Sequence, residues 1–160
     1  LEPIDHARDS IVPDNPGPWS ILHMPSTGLE SSPGLPSVEG LADWQKRDLF
    51  ASVIFPYFLL GVQGNGVVWY QVIPRAVDRI ELKIHLMVPK TSLDHPDFDQ
   101  EIKELTAAVS LIHQEDIRAN DLVWDGLTAP LTKQGRLSNF EKSIWQLNQW
   151  WLDQMLTGDD

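Results

Sequence analysis

The chain contains no cysteine, few basic residues and no long apolar run. The absence of cysteine excludes disulfides, thiolate zinc sites, a cysteine nucleophile and cysteine-held iron–sulfur clusters within this chain. There are 12 basic and 23 acidic residues, and the net charge of −11 argues against nucleic acids and anionic membranes, which need a basic partner surface. Because no apolar run could span a bilayer and no signal-peptide pattern opens the chain, we expect a cytoplasmic protein.

What the chain does contain is enough apolar material for one packed domain. It has 160 residues, of which 42% are hydrophobic, and it carries seven tryptophans. Residues 1–48 are rich in proline, glycine and serine and predict an irregular, loop-rich segment, with a short helix near 42–49. The chain opens on Leu1, and we expect it to be part of a longer protein.

The segment 50–89 predicts a meander of three antiparallel strands. Residues 50–62 are almost all apolar and read as one strand, in which Pro56 favours an edge position or a bulge. The sequence Gln-Gly-Asn-Gly that follows predicts a hairpin, because Asn-Gly tolerates the positive φ angles of a tight turn. The third strand, 80–88, alternates apolar and polar residues, so one face of the sheet is expected to face water.

Two helices follow the strands. The first is predicted over 97–126, with Asp97 as its cap and with Gly126 and Pro130 ending it. The second is predicted over 138–156, where Ser138 and Glu141 form a capping box. We expect its packed face to carry Ile144, Leu147, Trp151 and Met155. We also expect its three tryptophans to pack in the core: Trp145, Trp150 and Trp151. The fold class is therefore α+β, an antiparallel sheet with long C-terminal helices, and the first strands of the sheet are expected to be missing.

One carboxylate of the first long helix, Asp116, lies on an apolar stripe. The stripe recurs at steps of three and four residues, as on one side of an α-helix: Ile102, Leu105, Val109, Ile112, Asp116, Ala119 and Val123. A buried carboxylate must be neutralised, paired or bound to a metal. The spacing leaves three possibilities open, namely a partner Arg or N–H group inside the fold, solvation, and a metal or acid/base role.

The other candidate motifs are weaker. No two of the five histidines have the close spacing of a local metal pair, although His113 and Asp116 could contact one ion. His113 is more simply a structural or surface residue. Gly64 and Gly66 belong to a hairpin, not to a phosphate-binding loop, because no helix follows them. Ser110 and His113 do not make a triad without an orienting acid.

Several stretches go beyond a generic pattern and resemble one family. They are HQED at 113–116, NDLV at 120–123 and GL at 126–127 on the helix, GRLS at 135–138 with Glu141 and WWL at 150–152 in the tail, and the FPYFLLG and VVWYQVIPRAVDRIEL strand block. Together, over about residues 50–156, they resemble the α (terminal oxygenase) subunit of Rieske non-haem iron ring-hydroxylating oxygenases. Asn148 stands where that family usually has a histidine.

The resemblance implies a START-like, helix-grip catalytic domain. In this family one mononuclear Fe(II) is held by two histidines and a carboxylate, an open-sided arrangement typical of non-haem iron oxygenases. Carried onto this chain, the carboxylate ligand is Asp116, and Val109, Ile112 and His113 are candidates for the substrate pocket. The family's two histidine ligands lie upstream as a close pair, and nothing in this chain matches them; the Rieske [2Fe–2S] domain is also missing. We therefore expect the C-terminal part of the catalytic domain, in preference to a relative without iron, and we expect this chain alone to be inactive.

The implied parent protein activates O₂ at iron and hydroxylates an aromatic or similar apolar substrate, as in the catabolism of aromatic compounds. Its electrons come from the Rieske cluster, supplied by a reductase or ferredoxin, and the α subunits assemble as a trimer or hexamer. Neither the substrate nor the choice between mono- and dioxygenation is encoded in these motifs. The alternative, from a different functional class, is a non-enzymatic START-like module that binds an apolar ligand, with Asp116 merely hydrogen-bonded.

Overall fold

The computed structural model describes residues 10–15, 17–26, 34–133 and 135–157. Its centre is one five-stranded antiparallel sheet, in which the strands pair in the order of the chain. The elements are β1 (Trp19–Met24), α1 (Asp43–Arg47), β2 (Leu49–Ile54), β3 (Phe58–Gln63), β4 (Gly66–Ala76), β5 (Arg79–Met87), α2 (Phe98–Thr128) and α3 (Lys142–Thr157). Short 3₁₀ turns at Lys90–Asp94 and Asn139–Glu141 precede the two long helices. The α+β class is confirmed.

The prediction of three strands was wrong, because the sheet has five. The apolar segment 50–62 forms two strands, β2 and β3, which turn at the cis peptide Phe55-Pro56. Pro56 has no N–H to donate to a ladder, so a turn suits it better than a strand interior. The remaining strand, β1, lies inside the segment predicted to be irregular, where its six residues are too few to stand out among the neighbouring prolines.

The predicted hairpin joins β3 to β4, but the reason for its glycine is different. Neither Gly64 nor Asn65 has a φ angle in the left-handed region. A Cβ on Gly64 would lie 2.5 Å from the Cα of Lys46, so this turn packs directly on the backbone of α1. The Val38 N–H donates a 2.8 Å hydrogen bond to the Gly64 carbonyl, which ties a third segment to the same point. Glycine is required here by close packing between backbones.

Alternation along the strands gives the sheet an inner face and an outer face. The register places four residues in one row across the inner face: Ser20 pairs with Val53, Val53 with Leu59, and Leu59 with Tyr70. The outer face carries contacts between rings: Trp69 stacks on His85 with centroids 4.6 Å apart and meets Phe58 at a tilt, with centroids 5.5 Å apart. The two long helices lie toward the inner face.

The helix α2 is longer than any strand of the sheet. Its 31 residues span about 46 Å, whereas the longest strand, β4, spans about 37 Å with 11 residues. In its first half, Leu105 and Val109 face the cavity that lies against the sheet. From Leu111 onward the apolar residues are mostly exposed within the described part of the chain, with Ile112 at 56% and Val123 at 58%. The predicted end at Gly126 was two residues early, since the helix runs to Thr128 and stops before Pro130.

The helix α3 packs through a different face from the predicted one. Gln146 is buried, and the rings of Trp150 and Phe55 lie with their centroids 5.6 Å apart. Trp145 and Trp151, by contrast, are 52% and 48% exposed. A buried amide is tolerated because both of its polar atoms are hydrogen-bonded, to Ser20 and to the Pro13 carbonyl. The Ser138 N–H donates to the Glu141 carboxylate at 2.6 Å, as the capping-box sequence predicts. Among the described residues, no helix combines the length and apolarity needed to cross a membrane.

Candidate functional site

An apolar cavity of about 580 Å³ lies between the inner face of the sheet and α2. This volume falls in the range of about 300–1,000 Å³ typical of small-molecule sites. The strands supply the floor, including Val53, Leu59 and Tyr70. The helix supplies one wall through residues that recur at its helical spacing: Leu105, Ala108, Val109 and Ile112. The residues on the inner face of the strands and those on one side of the helix thus line the same cavity.

At one end of the cavity, three polar side chains of β4 and α2 come together. The rings of Tyr70 and His113 meet edge to face with centroids 5.2 Å apart. His113 Nδ1 lies 3.5 Å from Asp116 Oδ2. The Nε2 atom of His113 is buried and has no hydrogen-bond partner. Burial first, and then the negative charge of Asp116, raise the pKa of Tyr70, so its phenol stays neutral at physiological pH.

Asp116 itself is not buried, contrary to what its place on the apolar stripe suggested. Its side chain is 62% exposed, and its ionic partner is His113 on the same helix. The stripe leaves the sheet near Ile112, so Asp116 lies one helical turn beyond the last cavity residue of α2. Of the three possibilities left open by the sequence, a partner Arg or N–H group inside the fold does not fit, because the carboxylate is exposed. A solvated carboxylate and a metal ligand both remain compatible with this position.

The donor set fits a cation only in part. Asp116 offers a carboxylate open to one side, and beside it lies a histidine with an unsatisfied ring nitrogen. Within the described ranges, however, no three His, Cys, Asp or Glu side chains group closely enough to hold a metal. His23 and His85 lie on the outer face, bonded to Asp48 at 2.7 Å and stacked on Trp69, respectively. His95 accepts from the Asp97 N–H, and His6 lies outside the described residues.

A second polar group lines the cavity where β1 meets α3. The hydroxyl of Ser20, only 2% exposed, lies 2.9 Å from Ser143 Oγ and 2.6 Å from Gln146 Oε1. Ser20 and Ser143 both line the cavity. Since Ser20 and Tyr70 share one cross-strand row, three inter-strand spacings, about 14 Å in all, separate their backbones. Ser20 and Ser143 thus line the cavity at its β1–α3 side, and Tyr70 lines it on β4.

The structure places the predicted pocket residues at or beside the cavity, and their role in binding a substrate stays a prediction. Of the predicted pocket residues, Val109 and Ile112 line the cavity, and His113 packs beside it against Tyr70. Sequence reasoning missed Tyr70, Ser20 and Ser143. Tyr70 could have been found from the alternation of β4, but Ser20 and Ser143 are 123 residues apart and nothing local connects them.

Comparison with known families agrees with the motifs and extends them. Residues 16–157 match the family model described as ring hydroxylating alpha subunit (catalytic domain), which includes β1 and starts well before the resemblance at 50–156. No curated protein and no solved structure matches the chain significantly. The matched range covers the sheet, the cavity and both long helices. The chain therefore belongs to the family of ring-hydroxylating alpha subunits, which it matches in their catalytic domain.

Proposed function

We propose that this chain forms the substrate pocket and supplies the carboxylate ligand of a mononuclear Fe(II) oxygenase that hydroxylates aromatic or similar apolar compounds. The observation that carries the proposal is the apolar cavity of about 580 Å³ with Asp116 at its α2 end, one turn beyond Ile112. Membership of the ring-hydroxylating family supports the reaction class. In the complete oxygenase, electrons would come from a Rieske cluster by way of a reductase or ferredoxin.

The residues of this chain would position the substrate through apolar contacts. Val109 and Ile112 of α2 and Leu59 of β3 give the cavity apolar walls, which favour a ring system over water by the area they bury. Tyr70 stays protonated, so the ring that contacts His113 edge to face carries no charge. The pocket therefore binds apolar rings and directs them toward the Asp116 end.

Asp116 is the residue of this chain that would hold iron, with His113 Nδ1 next to its carboxylate. Iron bound there would supply O₂ activation, which side chains cannot perform by themselves. The exposed position of Asp116 leaves room for ligands from another part of the complete oxygenase. Since Asp116 is only one ligand of the expected three, the isolated chain should retain no stoichiometric iron after gel filtration.

The Asp116→Ala substitution in the complete oxygenase tests this proposal. We expect turnover and mononuclear iron to be lost together, because a ligand bond is removed, while the Rieske spectrum persists. Thermal stability should change by no more than about 1 kcal/mol, since the Asp116 side chain is 62% exposed and the substitution removes one 3.5 Å contact, with His113 of the same helix. The matched control is Glu115→Ala, which removes the adjacent exposed carboxylate of the same helix. An active, iron-replete Asp116→Ala protein would refute the assignment.

The second candidate function, an apolar-ligand module without catalysis, is favoured by a separate observation. Within the described part of the chain no three-ligand metal group forms, whereas the cavity exists independently of any metal. This alternative predicts that the complete protein binds apolar ligands but neither retains iron nor consumes O₂ when supplied with a reductant. Ligand-dependent O₂ consumption by the complete protein would exclude it.

A further inference from the structure

The polar group at the β1–α3 end of the cavity has hydrogen bonds whose directions can be assigned. The Pro13 carbonyl can only accept, so the amide nitrogen of Gln146, 2.8 Å away, donates to it. The other atom of that amide, Oε1, must then face Ser20 and accept its hydroxyl proton at 2.6 Å. Gln146 is only 5% exposed, which keeps water from competing for these bonds.

The direction of the Ser20 bond fixes that of Ser143. A serine hydroxyl has one proton, and Ser20 has already given its proton to Gln146. The 2.9 Å contact between the two hydroxyls is therefore a bond donated by Ser143 to Ser20. Ser143 has then used its own proton, and its oxygen retains unused acceptor capacity beside the cavity that it lines. The chain of bonds runs from Ser143 through Ser20 and Gln146 to Pro13.

The backbone around this chain of bonds holds it in place. Lys142, next to Ser143, donates to the Val12 carbonyl at 2.9 Å and pairs with Asp14 at 2.8 Å. These contacts fasten the segment that carries Pro13 to the first turn of α3. Rotating Ser143 to offer its proton to a ligand would break its bond to Ser20, whose oxygen would lose a donor. The site is thus prepared to accept a hydrogen bond from a ligand, not to donate one.

We infer that Ser143 determines specificity: its hydroxyl oxygen, polarised by Ser20 and Gln146, selects apolar ring compounds that carry one hydrogen-bond donor, a hydroxyl or an N–H group. This inference rests on the proposed function and deepens it by naming the substrate class. A ligand anchored at Ser143 lies along the row that leads to Tyr70, about 14 Å of backbone spacing away. Its donor group is therefore held away from Asp116, and its opposite edge faces the Asp116 end.

Calorimetric titration of the full chain near neutral pH tests the inference with three probes of similar shape. They are naphthalene, 2-naphthol, which has a donor, and the methyl ether of 2-naphthol, which has only an acceptor. We expect 2-naphthol to bind about tenfold more tightly than the ether, as one added hydrogen bond in a buried site allows. Ser143→Ala should remove this preference and leave naphthalene affinity within about twofold. Ser143→Thr keeps a hydroxyl and should retain the preference.

Controls separate specificity from folding. Ser110→Ala is the matched control, an exposed serine of α2 outside the cavity lining, and should leave all three affinities unchanged. If Ser143→Ala fails to fold by circular dichroism, Ser143→Cys keeps the side-chain size with a poor acceptor, and it should lose the preference too.

Three outcomes would overturn the inference while leaving the cavity as a ring-binding site. They are equal binding of 2-naphthol and its ether by the wild-type chain, a preference that survives Ser143→Ala, and an equal loss for all three probes. If the wild-type chain binds none of the probes, the cavity assigned in the proposed function is refuted together with this inference. The iron content of the Asp116→Ala oxygenase is measured independently of either result.

Discussion

At the scale of single residues, charge and burial change the pKa of Tyr70 in the same direction. Burial is the larger cause that raises the pKa of the Tyr70 phenol, and the negative charge of Asp116 is the second. The neutral phenol is therefore the favoured form in the folded protein. By linkage, the stability that this gives is fully present below the unfolded pKa of about 10 and is lost as pH rises through the higher folded pKa.

Removing the charge of Asp116 should lower the pKa of Tyr70. In Asp116→Asn the carboxylate contribution disappears while burial remains, so the pKa of Tyr70 should fall but stay above 10.0. The chain has two tyrosines, so a Tyr57→Phe background leaves Tyr70 as the only reporter in a phenolate absorbance titration. Glu115→Gln in the same background is the control and should not move the titration. An unchanged curve in Asp116→Asn would show that the carboxylate does not act on Tyr70.

At the scale of elements, contacts between backbones set the position of the β3–β4 hairpin. The turn at Gly64 lies against α1, where any Cβ would meet the Cα and carbonyl of Lys46 at 2.5 and 2.8 Å. Neither atom is the mobile end of a side chain, so the backbone would have to shift. By contrast, a Cβ on Gly126 in the last turn of α2 meets nothing within 4 Å.

These two glycines predict opposite effects of the same substitution. Gly64→Ala should destabilise the fold by about 1–3 kcal/mol, because the added methyl overpacks a closed contact. Gly126→Ala should stabilise it by up to about 1 kcal/mol, because alanine has the higher helix propensity and the space is open. Chemical denaturation of both variants beside the wild-type chain measures each effect. A neutral Gly64→Ala would mean that α1 does not hold the turn as closely as its backbone contact indicates.

At the scale of the whole molecule, the second half of α2 carries apolar residues that the described part of the chain leaves uncovered. Ile117, Leu122 and Leu127 are 60%, 64% and 65% exposed. An exposed apolar surface of this kind is unusual for a monomer and favours association. The trimer or hexamer implied by the family resemblance stays a prediction.

We expect the chain to associate through this part of α2. Sedimentation velocity should show species larger than a monomer whose share grows with protein concentration. The double substitution Leu122→Glu and Leu127→Glu should reduce that share, because it places charge on the apolar surface. Lys103→Glu changes the net charge by the same amount at an exposed polar position of the first half of α2 and serves as the control. Concentration-independent monomers of the wild-type chain would contradict the prediction.

The sequence alone determined the features that depend on local pattern. The 3.6-residue stripe predicted α2, and the alternation at 80–88 predicted β5. The motifs around Asp116 identified the family that residues 16–157 match. The segment 50–62 was predicted as one strand and forms two, because a proline in an apolar segment indicates an interruption without distinguishing a bulge from a turn.

Only the tertiary structure decided what meets across the cavity. Periodicity tells which residues of a helix share a face, but it does not tell whether another surface covers that face. It therefore could not show that Asp116 is exposed. It also could not bring Ser20 to Ser143, since their contact depends on how α3 docks on β1. The directions of those hydrogen bonds follow from a proline carbonyl 133 residues away from Gln146. Such long-range pairing is set by packing of the whole chain, because no local propensity encodes it.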